Sequence, residues 1–301
     1  MKKSIIVVGM AAALLMLVAS CKKENSTSKV VLRAGIVDSP SKTYVDIAGP
    51  FTSWDENDHI MVNGNEMYIS ERHATPYGTG QTGYHTADFT CNNWKGHLPD
   101  GTIQLYAISP AAEQVQNNDG TWKSKISLPA TQQYIENGFM DDLPMAVSNM
   151  GTVLNFQNLT CVFGVPVRTD VENGLTITKV ELTCTNSEYP LVAQAWWPHW
   201  GQESLDLGKI EIIGNASRTI TLDCGDGVLV PKTDEGIEFF FAAFPVLPKD
   251  SKLNISFYQG ESLVATIQKT LSGKTEPNMI YDLVESPDNN NRTPWTINPT
   301  R

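Results

Sequence analysis

Val180-Glu181-Leu182-Thr183-Cys184 alternates apolar and polar side chains, the period of two that turns one face of a β-strand to a core and the other to water. Lys209-Ile210-Glu211-Ile212-Ile213, Ser217 to Asp223 and Lys252 to Tyr258 read the same way, alternating or running β-branched. Clusters of Gly, Pro, Asn and Asp separate such runs at roughly 8–15 residues, the turn spacing of an all-β sandwich. Glu238 to Phe244 is a continuous apolar run of strand length, as expected of a strand buried on both faces, and Pro245 and Pro248 stop it. Helical periodicity is nearly absent; a short helical turn is expected only over Pro110 to Gln116.

The chain is 301 residues long, enough for about two domains. A composition break at Ser148-Asn149-Met150-Gly151 separates a loop-rich half, holding four of the five histidines, from a half with longer strands. The expected organisation is a signal segment over 1–20, a flexible tether over 21–29, an N-terminal β-sandwich domain over 30–150, a C-terminal one over 151–285 and a mobile tail over 286–301.

Met1-Lys2-Lys3 is a short positive start, and Ile5 to Ala19 is an apolar run too short for the ~20 residues of a membrane-spanning helix. The run reads as a cleaved export signal. It ends Leu17-Val18-Ala19-Ser20-Cys21, which resembles a bacterial lipobox. The resemblance implies that Cys21 becomes the first residue of the mature chain and carries lipid, palmitate among its acyl groups, that anchors it in the outer membrane. Lys22-Lys23-Glu24 is similar to the signal that sends Bacteroidetes lipoproteins to the cell surface, with one acidic residue where two are usual. Loss of Lys2 and Lys3 would take the net charge from −11 to −13. A body so acidic repels a nucleic-acid backbone, and no nucleic-acid partner is expected.

Several local sequences suggest chemistry that their context does not support. Gly78-Thr79-Gly80-Gln81-Thr82-Gly83 matches a dinucleotide-binding pattern, but no hydrophobic strand precedes it and no helical period follows, so it reads as a glycine loop. His73, His85, Cys91 and His97 contain ligand types for zinc, yet six residues of strand span roughly 20 Å and keep successive members apart. Asp55-Glu56-Asn57-Asp58 is dense in oxygen but lacks the calcium-loop pattern. No nucleophile elbow, zinc-protease helix or phosphate loop is present, so no catalytic residue, metal or cofactor is expected. Trp196-Trp197-Pro198-His199-Trp200 has two readings: core or edge packing, or a face that stacks on sugar rings. Cys91, Cys161, Cys184 and Cys224 could pair in three ways or remain buried thiols.

Over Val30 to Val284 the order of short motifs resembles the fimbrillin-like lipoproteins of Bacteroidetes, the fimbrial subunits and their anchor and tip proteins. Trp54 followed by Asp58-His59-Ile60-Met61-Val62, Leu105-Tyr106-Ala107-Ile108-Ser109-Pro110, Leu128-Pro129-Ala130-Thr131-Gln132 and Asp142-Leu143-Pro144-Met145-Ala146 are similar to that family's first-domain motifs. Leu154-Asn155-Phe156, Phe240 to Pro245 and Met279-Ile280-Tyr281-Asp282-Leu283 are similar to its second-domain strands.

The resemblance implies two β-sandwich domains of transthyretin-like topology and a non-enzymatic structural or accessory subunit, at the tip or anchor of a fimbrium, that assembles by strand exchange in adhesion. Its partners would be other fimbrial subunits and host or bacterial surface glycans or proteins. It further implies proteolytic maturation after an N-terminal arginine, here Arg33, which follows Val30-Val31-Leu32. The C-terminal donor strand would centre on Trp295 and Ile297, although Pro287, Pro294 and Pro299 surround them. The alternative is a monomeric surface lipoprotein that binds glycans through Trp196, Trp197 or Trp200.

Overall fold

The computed structural model describes residues 28–36, 54–77, 81–136, 138–140, 142–186, 188–198, 210–288 and 291–299. Cys21 and Trp200 lie outside them, as does most of the segment read as signal and tether. The described residues form an all-β protein with no helix. Pro110 to Gln116, expected to include a helical turn, instead ends in a short strand. Gln114, within it, bonds to Gly64, Tyr106 and Ser124, contacts that a local helix would not provide.

In chain order the strands are β1 (Ser28–Ile36), β2 (His59–Val62), β3 (Asn65–Tyr77), β4 (Gln81–Trp94), β5 (Leu105–Ser109), β6 (Gln114–Gln116), β7 (Trp122–Ser127), β8 (Thr131–Gln133), β9 (Met145–Asn149), β10 (Val153–Asn158) and β11 (Cys161–Arg168). They continue as β12 (Leu175–Cys184), β13 (Val192–Pro198), β14 (Glu211–Ser217), β15 (Thr219–Val230), β16 (Ile237–Ala243), β17 (Lys252–Gln259), β18 (Ser262–Thr270), β19 (Met279–Asp282), β20 (Ser286–Asp288), β21 (Asn291–Thr293) and β22 (Trp295–Thr296). The strands read from Val180, Ser217 and Lys252 fall in β12, β15 and β17. β16 is the both-face-buried strand expected over Glu238 to Phe244.

Seven strands close into a barrel in the order β1-β10-β9-β5-β2-β3-β4, with β4 returning to β1. The resemblance implies two facing sheets here; the observed hydrogen-bonding path closes on itself because β1 joins β4 on one side and β10 on the other. Trp54 lies at the centre of the barrel core, 1% exposed, edge-on to Phe89 and Phe156 with ring centroids 5.0 and 5.5 Å away. Met61 and Val62 of β2 and β9 of the barrel pair with β5, fixing both flanks of that short strand.

Two further sheets, β16-β11-β19 and β18-β17-β12-β15-β8, share one apolar core. Phe239 of β16 meets Phe257 of β17 across it, with centroids 6.0 Å apart. A fourth sheet runs β14-β13-β7-β6, and β20 pairs with β21 in a separate hairpin. The sequence break at Ser148–Gly151 falls between β9 and β10, which pair with each other, while β7 and β8 pair forward with β13 and β15.

Candidate functional site

β1 is built by strict alternation. Val30, Leu32 and Ala34 are buried in the barrel; Val31 and Arg33 are exposed. The strand is paired unequally along its length. On the β4 side the ladder runs from Ser28 to Gly35, but on the β10 side it covers only Arg33 to Ile36, because β10 begins at Val153, the partner of Arg33. Among the described strands Ser28 to Leu32 is thus laddered on the β4 side only, although Val30 and Leu32 lie inside the core.

Arg33 stands at the point where pairing becomes two-sided. Its Nε and Nη2 donate to Asp88 Oδ1 and Oδ2 at 2.8 and 3.1 Å, a bidentate contact with the cross-strand partner on β4. His73 Nε2 lies 3.1 Å from the same Asp88 Oδ2 and 3.4 Å from Arg33 Nη2. The hydrogen bond from Arg33 holds the Asp88 carboxyl below its ordinary range, and Asp88 in turn raises the Arg33 guanidinium. Glu71, the register partner of Asp88 on β3, adds a further negative charge near Arg33.

The donor atoms of Glu71, His73 and Asp88 lie within 4.8 Å of one another, a spacing that could hold a metal ion. Arg33 is the cation they surround here. Sequence reading placed His73 among scattered histidines and missed Asp88 and Glu71. The i, i+2 spacing of Glu71 and His73 was a signal that both share one face of β3.

The four cysteines are free and buried, each in or under a strand. Cys91 is the β4 partner of Val30 and lies beneath the one-sided half of β1. Burial pushes the Cys161 thiol far up and that of Cys224 up to about 12, which disfavours the thiolate at both.

Trp196 and Trp197 are neighbours on β13, and pairing with β7 sets them on opposite faces. The Lys123 ammonium sits 4.9 Å over the Trp196 ring, whereas Trp197 packs on the main core. The two therefore do not form one stacking platform.

The C-terminal segment, read as loose, is tied down in its described residues. β22 continues the line of β19 along β11: Trp295 pairs with Val167 and Thr296 with Arg168, in parallel. The Ile297 amide donates to the Arg168 carbonyl at 2.8 Å, and Trp295 Nε1 donates to the Leu283 carbonyl at 2.6 Å. Ile297 is 1% exposed, and burial of its side chain is what the sequence reading of a mobile tail left out.

No family model matches the chain, and no curated protein is recognisably related to it. Solved structures similar to it include proteins of Bacteroides described as "putative cell adhesion protein" or as a fimbrial protein. One is a "putative cell adhesion protein" of Bacteroides uniformis, 11% identical, with a TM-score of 0.46 over 85% of this chain and 91% of that one. A second protein so described, from Bacteroides ovatus, is 14% identical with a TM-score of 0.43 over 91% and 96% of the two chains. A fimbrial protein of Bacteroides vulgatus is 12% identical, with a TM-score of 0.36 over 84% and 95%.

Proposed function

We propose that the protein is a surface-anchored, fimbrillin-like lipoprotein, a structural or accessory subunit at the tip or anchor of a fimbrium, assembled by β-strand exchange and working in adhesion rather than catalysis. In this reading Cys21 carries the lipid anchor in the outer membrane. A trypsin-like protease cuts after Arg33 and releases the chain before it. A strand from another subunit then takes the place of Ser28–Arg33.

The observation that carries the reading is the unequal ladder of β1. Among the described strands Ser28 to Leu32 ladders with β4 and not with β10, so removing it breaks that ladder and leaves the Ala34–Ile36 pairing with β10 and the closure of the barrel in place. Val30 and Leu32 each contribute roughly 1.5–3 kcal/mol by burial, so their loss opens an apolar groove beside an unpaired β4 edge. Such an edge accepts an extended strand through main-chain hydrogen bonds, with alternate side chains filling the pockets.

The N-terminal residue of the protein in purified surface filaments tests the reading. Ala34 marks a cut subunit and Cys21 an uncut anchor. A protein absent from filaments and monomeric after protease treatment would sink the proposal. Incorporation of labelled palmitate, lost in Cys21→Ala, tests the anchor separately.

A further inference from the structure

The groups facing Arg33 restrict what can replace β1. Asp88 offers both carboxylate oxygens, its side chain only 17% exposed, with Glu71 beside it and the His73 ring nitrogen 3.1 Å away. They sit on β3 and β4, which stay in place when the chain before Ala34 departs, and the cation that satisfies them departs with it. An incoming strand that placed an acid or an apolar residue there would leave the Asp88 carboxylate, already partly shielded from water, without the two hydrogen bonds that Arg33 donates. The neighbouring outward position makes no such demand: Val31 is half exposed beside Thr90 and Tyr68.

Resting on the strand-exchange reading, we infer that the exchange groove is selective for a cation. Its occupant is an extended segment with apolar residues at two alternate inward positions and an arginine or lysine at the outward position next to them, opposite Asp88. The chain's own C-terminal strand does not fit this description. In Trp295-Thr296-Ile297-Asn298 the residues between and after the apolar pair are Thr296 and Asn298, and no basic residue follows before Arg301. That strand is also already engaged along β11. The C-terminal strand of a second copy is therefore not the occupant, which comes from a different subunit. Charge opposite Asp88 sets both its register, since a slip of one residue turns every side chain to the other face, and its identity.

The test uses the full chain cut after Arg33 and dye-labelled, C-terminally amidated peptides spanning 22–33, with binding read by fluorescence anisotropy. The native peptide is expected to exchange into the cut protein about tenfold or more tighter than its Arg33→Gln version, and Arg33→Glu is expected to be weaker still. On Asp88→Lys protein the order should reverse, with the Arg33→Glu peptide binding tightest. Equal binding of all three peptides to the wild-type protein would refute the cation requirement while leaving strand exchange standing. Failure of every peptide, the native one included, would overturn strand exchange and this inference together.

Discussion

Arg33 on β1 and Asp88 on β4 face each other as cross-strand partners joined by two hydrogen bonds of 2.8 and 3.1 Å. This contact marks the boundary between the half of β1 held on one side and the half held on both. It also puts the proposed cleavage residue under electrostatic restraint, because a protease that recognises the guanidinium must draw it away from Asp88.

Arg33→Gln should therefore leave the fold intact and remove cleavage at this position. Limited trypsin digestion followed by N-terminal sequencing is expected to yield a chain beginning at Ala34 from the wild type and none from the variant. A wild-type protein cut readily elsewhere but never after Arg33 would count against maturation at this residue.

Acid should weaken the same contact. The Asp88 carboxyl is held low, first by its hydrogen bond from Arg33, so its contribution is present above the unfolded value of about 3.9 and is lost as pH falls through the lower folded value. The stability gap between wild type and Arg33→Gln is expected to be constant near neutrality and to shrink below about pH 4. Denaturant melts at pH 7 and pH 3 check this, and a gap that widens in acid would contradict it.

Release of the chain before Ala34 should unmask one thiol. Cys91 lies opposite Val30 in the barrel core, whereas Cys161, Cys184 and Cys224 belong to the second core, which the departing chain does not cover. A thiol reagent is expected to modify Cys91 in the cut and dissociated protein and to leave Cys91 of the intact protein unlabelled. Mass spectrometry of the labelled peptides identifies the site.

Ile297→Ala is expected to destabilise the protein by about 2–5 kcal/mol, the cost of a cavity at a fully buried aliphatic side chain. A second route reaches the same strand. Gly236 has a φ of 63°, and a Cβ there would drive into the carbonyl of Val167, the residue that pairs with Trp295. Gly236→Ala should cost about 1–3 kcal/mol or more through strain and displacement of β11. Thermal unfolding of both variants tests whether the C-terminal strand is integral to the fold; melts that match wild type would show that it is not.

Part of this was legible in the residues themselves. The β-prone run Val30-Val31-Leu32, the alternation of Val180 to Cys184, the apolar run ending at Phe244 and the turn residues between strands determine an all-β chain, because side-chain period and backbone φ preference act over a few residues. Which strand meets which does not follow from local pattern. A hairpin folded evenly about Thr79 would set Glu71 opposite Ala87, whose side chain points into the barrel. A register shift between His73 and Thr75 brings Asp88 there instead, and a second between Ile69 and Glu71 restores the original register. Closure of the barrel through Ala34 and Leu154, and the seating of Ile297 beneath β11, join residues more than a hundred positions apart. The sequence alone determined strands and their faces; only the tertiary structure decided their partners, since register and closure arise from long-range packing and backbone hydrogen bonds that no short window of residues contains.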